Sequence, residues 1–155
     1  MITIRIRETG GEKARKHVAD LERRILVGAE RGLARALKHA EGVSQRNYFT
    51  DYANNTRANR KFIGPTFPIL RNRTRRLRDS ITSTTRSEAR RVIGVLGTNV
   101  IYGRIHELGY HGTTADGRTL NYDGRPYLAP AVRDSLGIIQ REVPKAIREE
   151  INRNS

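Results

Sequence analysis

The chain has 155 residues, of which 36% are hydrophobic and 30% are charged, and its formal net charge is +14. This length fits one domain with a modest core rather than two domains of ordinary size. The sequence contains no cysteine, which excludes a disulfide framework, a thiolate nucleophile and a sulfur-ligated metal. It has no apolar stretch near the roughly 20 residues of a membrane span and no signal-peptide pattern at its start, so we expect a soluble protein that assembles in a bacterial cytoplasm.

The positive charge comes mainly from arginine, which supplies 25 of the 30 basic residues. A guanidinium group binds phosphates and carboxylates through paired hydrogen bonds and tolerates burial at an interface better than an ammonium group does. The charge therefore predicts a polyanion or an acidic protein surface as the partner, and it does not distinguish between them.

The first 42 residues predict a strand followed by a long helix. Isoleucines alternate with polar residues over residues 1–8, which is typical of a half-buried strand. Apolar side chains then recur at intervals of three and four over residues 12–42, which predicts an amphipathic helix with a basic outer face. Gly28 and Gly32 lower its helix propensity, so we expect them to mark a close contact with another element or a bend.

A long loop is predicted over residues 44–68, which show no sustained period. This segment holds five of the nine aromatic residues, namely Tyr48, Phe49, Tyr52, Phe62 and Phe67. Two interpretations remain open: the loop packs over its own core through these rings, or it is an arm that docks on a neighbouring subunit. Eight basic residues and no acidic ones lie between Asp51 and Asp79, so much of the net charge is concentrated there.

The next segment predicts a short helix over residues 74–80 and then a β-hairpin. The two strands of the hairpin are residues 81–85 and 91–96, which are rich in Thr, Ile and Val and flank a polar turn. Asn99 is expected to cap a further short helix that ends at Gly109.

The C-terminal third predicts a second long loop over residues 110–125, with some hairpin character, and then a final helix. Pro126 and Pro130 introduce this helix, and Pro144 is expected to kink or divide it. Residues 1–155 are thus expected to form a single α+β domain. In it, a long N-terminal helix and a kinked C-terminal helix pack on a small antiparallel β-sheet or hairpin.

One cluster has the composition of a metal or acid-base site: His106, Glu107, His111 and Asp116. Its spacing does not match HExxH, and the sequence offers no third ligand. Nucleophile motifs and phosphate-binding glycine loops are also missing from the sequence. We therefore expect no catalytic residue, no metal, no cofactor and no enzyme activity. His106 and Glu107 are interpreted as a histidine and a carboxylate that cap the end of a short helix.

Three segments carry the most specific pattern in the chain: ILRNRTRRLRDSI at residues 69–81, VIGVLGTNVIYGRIHELG at residues 92–109, and RPYLAPAV at residues 125–132 before a helix. Their order resembles that of the virion morphogenesis and head-tail joining (neck or tail-completion) proteins of tailed bacteriophages. Those families show "LR.SI", "G(T/S)N..YA.IHE.G" and "RP(F/Y)L.PA" in the same order. This sequence departs from them at Arg75, where Gly is common, and at Gly103, where Ala is usual.

The resemblance implies a non-enzymatic virion structural protein, located in the neck or at the top of the tail and assembled in the host cytoplasm. In such a subunit His106 and Glu107 would orient the loop over residues 112–124. It implies a closed homo-oligomeric ring, with six and twelve copies as the options, that connects head and tail around the DNA channel. Its partners would be adjacent connector and tail proteins, with double-stranded DNA in the channel as a further option and no membrane. The alternative is a basic nucleic-acid-binding protein without sequence preference.

The residues expected at subunit or partner contacts fall in three places: the arginine-rich residues 71–78, which we call the basic run, the aromatic-rich residues 44–68, and the second and third motifs. They are Arg71, Arg73, Arg75, Arg76, Arg78, Tyr48, Phe49, Tyr52, Tyr102, His106, Glu107, Arg125 and Tyr127.

Overall fold

A computed structural model describes residues 11–51, 69–72 and 74–153 of the chain. Its helices are α1 (Gly11–Asn47), α2 (Arg76–Asp79), α3 (Gly103–Leu108), α4 (Ala129–Asp134) and α5 (Leu136–Asn152). Its strands are β1 (Phe49–Asp51), β2 (Leu70–Asn72), β3 (Ile81–Glu88), β4 (Arg91–Thr98), β5 (Tyr110–Thr113) and β6 (Thr119–Tyr122). The predicted α+β single domain is confirmed. The strand predicted over residues 1–8 lies outside the described residues.

Helix α1 packs directly on α5 through Gly28 and Gly32, which confirms the close contact that was one of the two predicted explanations for these glycines. A Cβ atom at Gly28 would lie 2.6 Å from the Cα of Ile147, and one at Gly32 would lie 2.7 Å from the Cα of Val143. The two backbones can approach this closely only because these positions carry no side chain. We call this contact the α1–α5 crossing. At its side the ion pair between Arg31 and Glu150, at 2.5 Å, joins the two helices.

Strands β3 and β4 form the predicted antiparallel hairpin, which lies along α1. The register runs from Ile81 opposite Thr98 to Glu88 opposite Arg91, so the strands are longer and the turn is tighter than expected. Two serines of β3 bind carboxylates of α1: Ser83 donates to Glu41 at 3.0 Å, and Ser87 donates to Glu30 at 2.7 Å. These bonds fix the hairpin lengthwise on the helix.

The predicted loop over residues 44–68 is wrong at its start. Residues 44–47 form the last turn of α1, and β1 pairs in parallel with β2 over the register Phe49 to Leu70 and Asp51 to Asn72. The helix continues because Ser44 is fully buried and its hydroxyl donates to the carbonyl of Tyr127 at 2.9 Å. Residues 52–68 lie outside the described part of the chain.

Two boundaries in the second half differ from the prediction. Helix α3 begins at Gly103 rather than after Asn99, because a turn closed by the Gly103 amide on the carbonyl of Val100 at 2.8 Å comes first. The C-terminal helix continues through Pro144 and is divided instead at Ser135. The Ser135 hydroxyl donates to the carbonyl of Ala131 at 2.8 Å and ends α4 there.

The second predicted loop is partly ordered as a hairpin, in which β5 pairs antiparallel with β6 from Tyr110 opposite Tyr122 to Thr113 opposite Thr119. None of the described helices is both long and apolar enough to cross a membrane.

Candidate assembly surface

The three sequence motifs meet around Tyr127, at a place that we call the motif junction. Tyr127 has no solvent exposure, and its ring packs edge-on against Phe49 with centroids 5.2 Å apart. Its hydroxyl donates to the carbonyl of Gly103 at 3.3 Å. Leu70, Leu77 and Ile81, all from the first motif, complete the buried cluster. Burial and the nearby carboxylate of Glu107 raise the pKa of Tyr127 to about 12.

Gly103 allows the second motif to close on the other two. A Cβ atom at this position would lie 2.5 Å from Thr98 Cγ2 and 2.9 Å from the Tyr127 hydroxyl. A neighbour would have to shift to accommodate alanine, which is the usual residue of the family that the motif resembles. Glycine at position 103 therefore allows the Tyr127 hydroxyl to approach α3 closely.

Glu107 links the second motif to the third by capping the start of α4. Its Oε2 accepts hydrogen bonds from the amides of Tyr127 and Leu128 at 2.8 and 2.9 Å, and its Oε1 accepts one from the amide of Ala129 at 2.9 Å. A negative carboxylate satisfies amides that have no partner within the helix itself. Glu107 therefore holds α4, not the loop that the sequence assigned to it.

His106 does contact the loop, as predicted. Its Nδ1 is 2.7 Å from the hydroxyl of Tyr122 in β6, and its carbonyl accepts a hydrogen bond from the amide of Arg125 at 2.6 Å. The ring packs edge-on against Tyr102 and Tyr122, and Arg125 lies over the Tyr122 ring at 5.9 Å. Partial burial, and then the charge of Arg125, lower the pKa of His106 below its ordinary value of 6.5.

The other members of the predicted acid-base cluster are dispersed. His111 lies 3.8 Å from Asp123, and Asp116 pairs with Arg118 at 3.3 Å. Within residues 11–51, 69–72 and 74–153 no group of three or more His, Cys, Asp and Glu side chains could hold a metal ion.

The basic run begins in β2, which contains the backbone of Arg71, and ends in α2. Arg73 and Tyr52 lie outside the described residues. Arg75 and Arg76 are exposed, and Arg78 pairs with Asp79 at 2.8 Å. Arg75 has a φ of 59°, in the left-handed region that favours glycine. Arg75 thus adopts a backbone conformation that favours glycine, at the position where the phage families commonly have Gly.

An apolar surface lies exposed beside the motif junction and consists of Ile101, Tyr102, Ile105 and Leu108. We call it the α3 patch. Ile101 is 94% exposed and Leu108 is 69% exposed. Single exposed apolar residues are common, but four on one short turn and helix are typical of a surface that another protein covers.

A cleft of about 270 Å³ adjoins the α3 patch. Its walls come from the end of β4, from α3 and from the third motif, and include Thr98, Leu108, Tyr127 and Leu128. The patch is therefore not flat but continues into a depression in which an apolar side chain could insert.

The aromatic residues predicted at subunit contacts have mostly internal positions. Phe49 and Tyr127 are buried in the core of this domain. Tyr48 is half-buried, and its hydroxyl donates to Asp134 at 2.6 Å; burial and this carboxylate raise the pKa of Tyr48 to about 12. For Tyr48 and Phe49 the structure favours the interpretation in which the segment packs on its own core.

The sequence alone did not single out Ile101, the most exposed residue of the patch. It is an isoleucine between Asn99 and Gly103, outside any periodic apolar pattern, and only the turn that precedes α3 shows where it points. Comparisons of the chain with protein-family models, with curated proteins and with solved structures gave no match.

Proposed function

We propose that this protein is a structural subunit of a head-tail joining (neck) or tail-completion ring of a tailed bacteriophage. The observation that carries the proposal is the motif junction. Three motifs that resemble those families in sequence and in order, although spread over residues 69–132, are joined by direct contacts. Glu107 of the second motif caps the helix that the third motif begins.

The departure at Arg75 also supports the resemblance. A chain that has arginine where the families commonly have glycine would weaken the likeness if the backbone had changed with it. Here the φ of 59° at Arg75 is one that glycine adopts freely and other residues adopt at a cost of about 1–2 kcal/mol.

The α3 patch supplies the surface that an assembling subunit requires. Its apolar side chains would be removed from water by another copy or by an adjacent connector or tail protein, which stabilises association. Six or twelve copies in a closed ring around the DNA channel, at the neck or tail top, would place one such patch at every subunit contact.

The proposal is tested by quantitative mass spectrometry of purified particles from the phage genome that encodes the chain. A joining ring occurs once per particle, so we expect about six or twelve copies, in constant ratio to the other neck proteins. Absence from the particles, or hundreds of copies per particle, would contradict a ring at the head-tail joint.

Within this function, we propose that the exposed part of the basic run binds an acidic surface of an adjacent ring. A double Arg75→Glu and Arg76→Glu variant should then produce heads and tails that do not join, because like charges would face each other across the contact. A Lys145→Glu and Arg148→Glu variant, which makes the same charge change on the exposed face of α5, is the control. Normal joining with altered DNA ejection would place the run at the channel instead.

The second candidate function is sequence-independent nucleic-acid binding, which the net charge of +14 and the exposed Arg75 and Arg76 favour. Binding through phosphates falls steeply with salt, with a log-log slope of about −0.9 per contact on duplex DNA. A slope equivalent to several contacts for the isolated protein, lost in the Arg75→Glu and Arg76→Glu variant, would support this function. If the protein were also absent from purified particles, nucleic-acid binding would describe its function better than ring assembly.

A further inference from the structure

A second exposed apolar surface lies on the first half of α1. Val18, Leu21 and Ile25 all remain accessible to solvent, with Val18 55% exposed. Their spacing of three and four places them on one side of the helix. We call these three residues the α1 stripe.

The α1 stripe and the α3 patch lie toward opposite ends of the domain. The motif junction is fastened to the last turn of α1, where Ser44 binds the carbonyl of Tyr127. Nineteen residues of helix separate Ile25 from Ser44, which corresponds to roughly 30 Å along the axis. The two surfaces of one chain therefore cannot cover each other. A contact between them must join two copies. When two copies share only one such pair of surfaces, the contact is head to tail, the kind that forms a ring where its rotation closes.

The charge distribution along the chain permits this contact between two copies. Residues 101–125, which contain the α3 patch, include three basic and three acidic residues. Residues 11–30, which contain the α1 stripe, include five basic and four acidic residues. The rest of the chain therefore carries a net charge of +13. Residues 52–78 supply eight of those thirteen charges. Two copies repel each other where those residues meet, whereas the α1 stripe and the α3 patch can meet with little repulsion.

The shapes of the two surfaces also match. A helix that docks in a groove presents apolar side chains at positions i, i+3 and i+7, which is the spacing of Val18, Leu21 and Ile25. The α3 patch adjoins the cleft of about 270 Å³ between β4, α3 and the third motif. One surface is a helical ridge and the other contains a depression.

We propose that the α1 stripe of one copy docks on the α3 patch of the next copy, head to tail. The proposal rests on the ring function for the closure of the chain of contacts, but the contact between two copies can be tested without it.

The sequence has no cysteine, so introduced thiols report on this contact alone. In a Leu21→Cys and Leu108→Cys double variant, each copy would carry one thiol on each side of the contact. Mild oxidation, or a short bismaleimide, should then yield a ladder of covalent multimers. A mixture of the two single variants should yield dimers that contain one of each, and each single variant alone should remain monomeric.

The matched control is a Val95→Cys and Leu108→Cys variant. Val95 is 52% exposed on β4, outside both surfaces, and should give no ladder. Dimers of the Leu108→Cys single variant would overturn the proposal, because they would indicate a face-to-face contact between two α3 patches. No multimers of the double variant with either reagent would overturn it as well. So would cross-links of position 21 only within its own chain.

An exposed charge in the patch provides a second measurement that does not depend on thiol geometry. Ile101→Asp should leave the folded structure intact, since Ile101 is almost fully exposed, and should weaken self-association in sedimentation equilibrium at least tenfold. Val95→Asp should leave association unchanged. Equal association of wild type and Ile101→Asp would contradict the contact.

The two proposals fail separately. A ladder from a protein that is absent from particles would keep the contact and remove the ring function. Six or twelve copies per particle, with no ladder when the double variant is oxidised inside particles, would keep the ring and remove the contact.

Discussion

The α1–α5 crossing and the motif junction are both tightly packed, but by opposite means. At the crossing, glycines bring two helix backbones together, and the side chain beside Gly32 is only the methyl group of Ala146. At the junction, a large aromatic side chain fills the space among several elements, and a carboxylate binds the amides around it. The crossing is thus sensitive to an added atom, and the junction is sensitive to a lost one. Substitution by alanine should damage both sites, because alanine is too large for the first and too small for the second.

The largest effect is expected for Tyr127→Ala. Removing a fully buried aromatic side chain costs about 3–5 kcal/mol in the free energy of unfolding, through lost burial and the cavity that remains. Tyr127→Phe keeps the ring and loses only the hydrogen bond to Gly103, so it should cost about 1 kcal/mol. Urea denaturation followed by circular dichroism measures both values. Equal losses for the two variants would mean that the hydroxyl, not the ring, holds the junction.

A smaller loss is expected for Gly28→Ala. Alanine favours a helix by about 1 kcal/mol over glycine, but the new methyl group would lie 2.6 Å from the Cα of Ile147, and overpacking of this kind costs about 1–3 kcal/mol. We expect the free energy of unfolding to fall by up to about 2 kcal/mol. Gly137→Ala is the control, because nothing lies within 4 Å of its added Cβ, and it should stabilise the protein slightly. A stabilised Gly28→Ala variant would show that the helices can separate without penalty.

The third prediction compares the stability of two variants at Arg75, whose backbone is strained at the edge of the motif junction. Arg75→Gly and Arg75→Ala both remove the side chain, so the difference between them isolates the backbone conformation. The glycine variant should be more stable than the alanine variant by about 1 kcal/mol, because alanine disfavours a φ of 59°. If thermal unfolding gave the two variants the same stability, α2 would begin differently from the structure.

The same comparison explains which features the sequence could predict. Periodic apolar residues predicted α1 and the C-terminal helix. Two segments rich in Thr, Ile and Val around a polar turn predicted the β3–β4 hairpin. Gly28 and Gly32 were expected to mark either a close contact or a bend, and the structure shows the close contact. The crossing was therefore largely predictable.

The motif junction could not be predicted in the same way, because its contacts come from distant parts of the chain. Helix α3 starts late because Thr98 accepts the amide of Val100, which favours a turn where Asn99 was expected to cap a helix. Pro144 does not divide α5, whose packing against Gly32 outweighs one missing hydrogen bond. The partner of Glu107 lies twenty residues further along the chain. No local pattern contains that information, and only the resemblance to the phage families pointed to a common role for these segments.

The smallest predicted effect concerns pH and the side of the junction next to the β5–β6 hairpin. His106 is partly buried beside Arg125, and its pKa is lowered from 6.5. As the pH falls through 6.5, the unfolded chain takes up a proton at this residue while the folded protein does not. The unfolded state then binds more protons than the folded state. The free energy of unfolding therefore decreases as the pH falls, until the pH reaches the lowered pKa of His106 in the folded state.

A His106→Gln variant keeps a polar group within reach of the Tyr122 hydroxyl and cannot titrate in this range. We expect its urea midpoint to fall less than that of the wild type between about pH 7.5 and about pH 5, because only the wild type binds a proton at position 106 in this range. All other titrating groups are shared, so the difference between the two midpoints, followed against pH, isolates His106. A difference that stays constant over this range would mean that His106 titrates alike in both states, and that the contact with Tyr122 and Arg125 does not depend on a neutral ring.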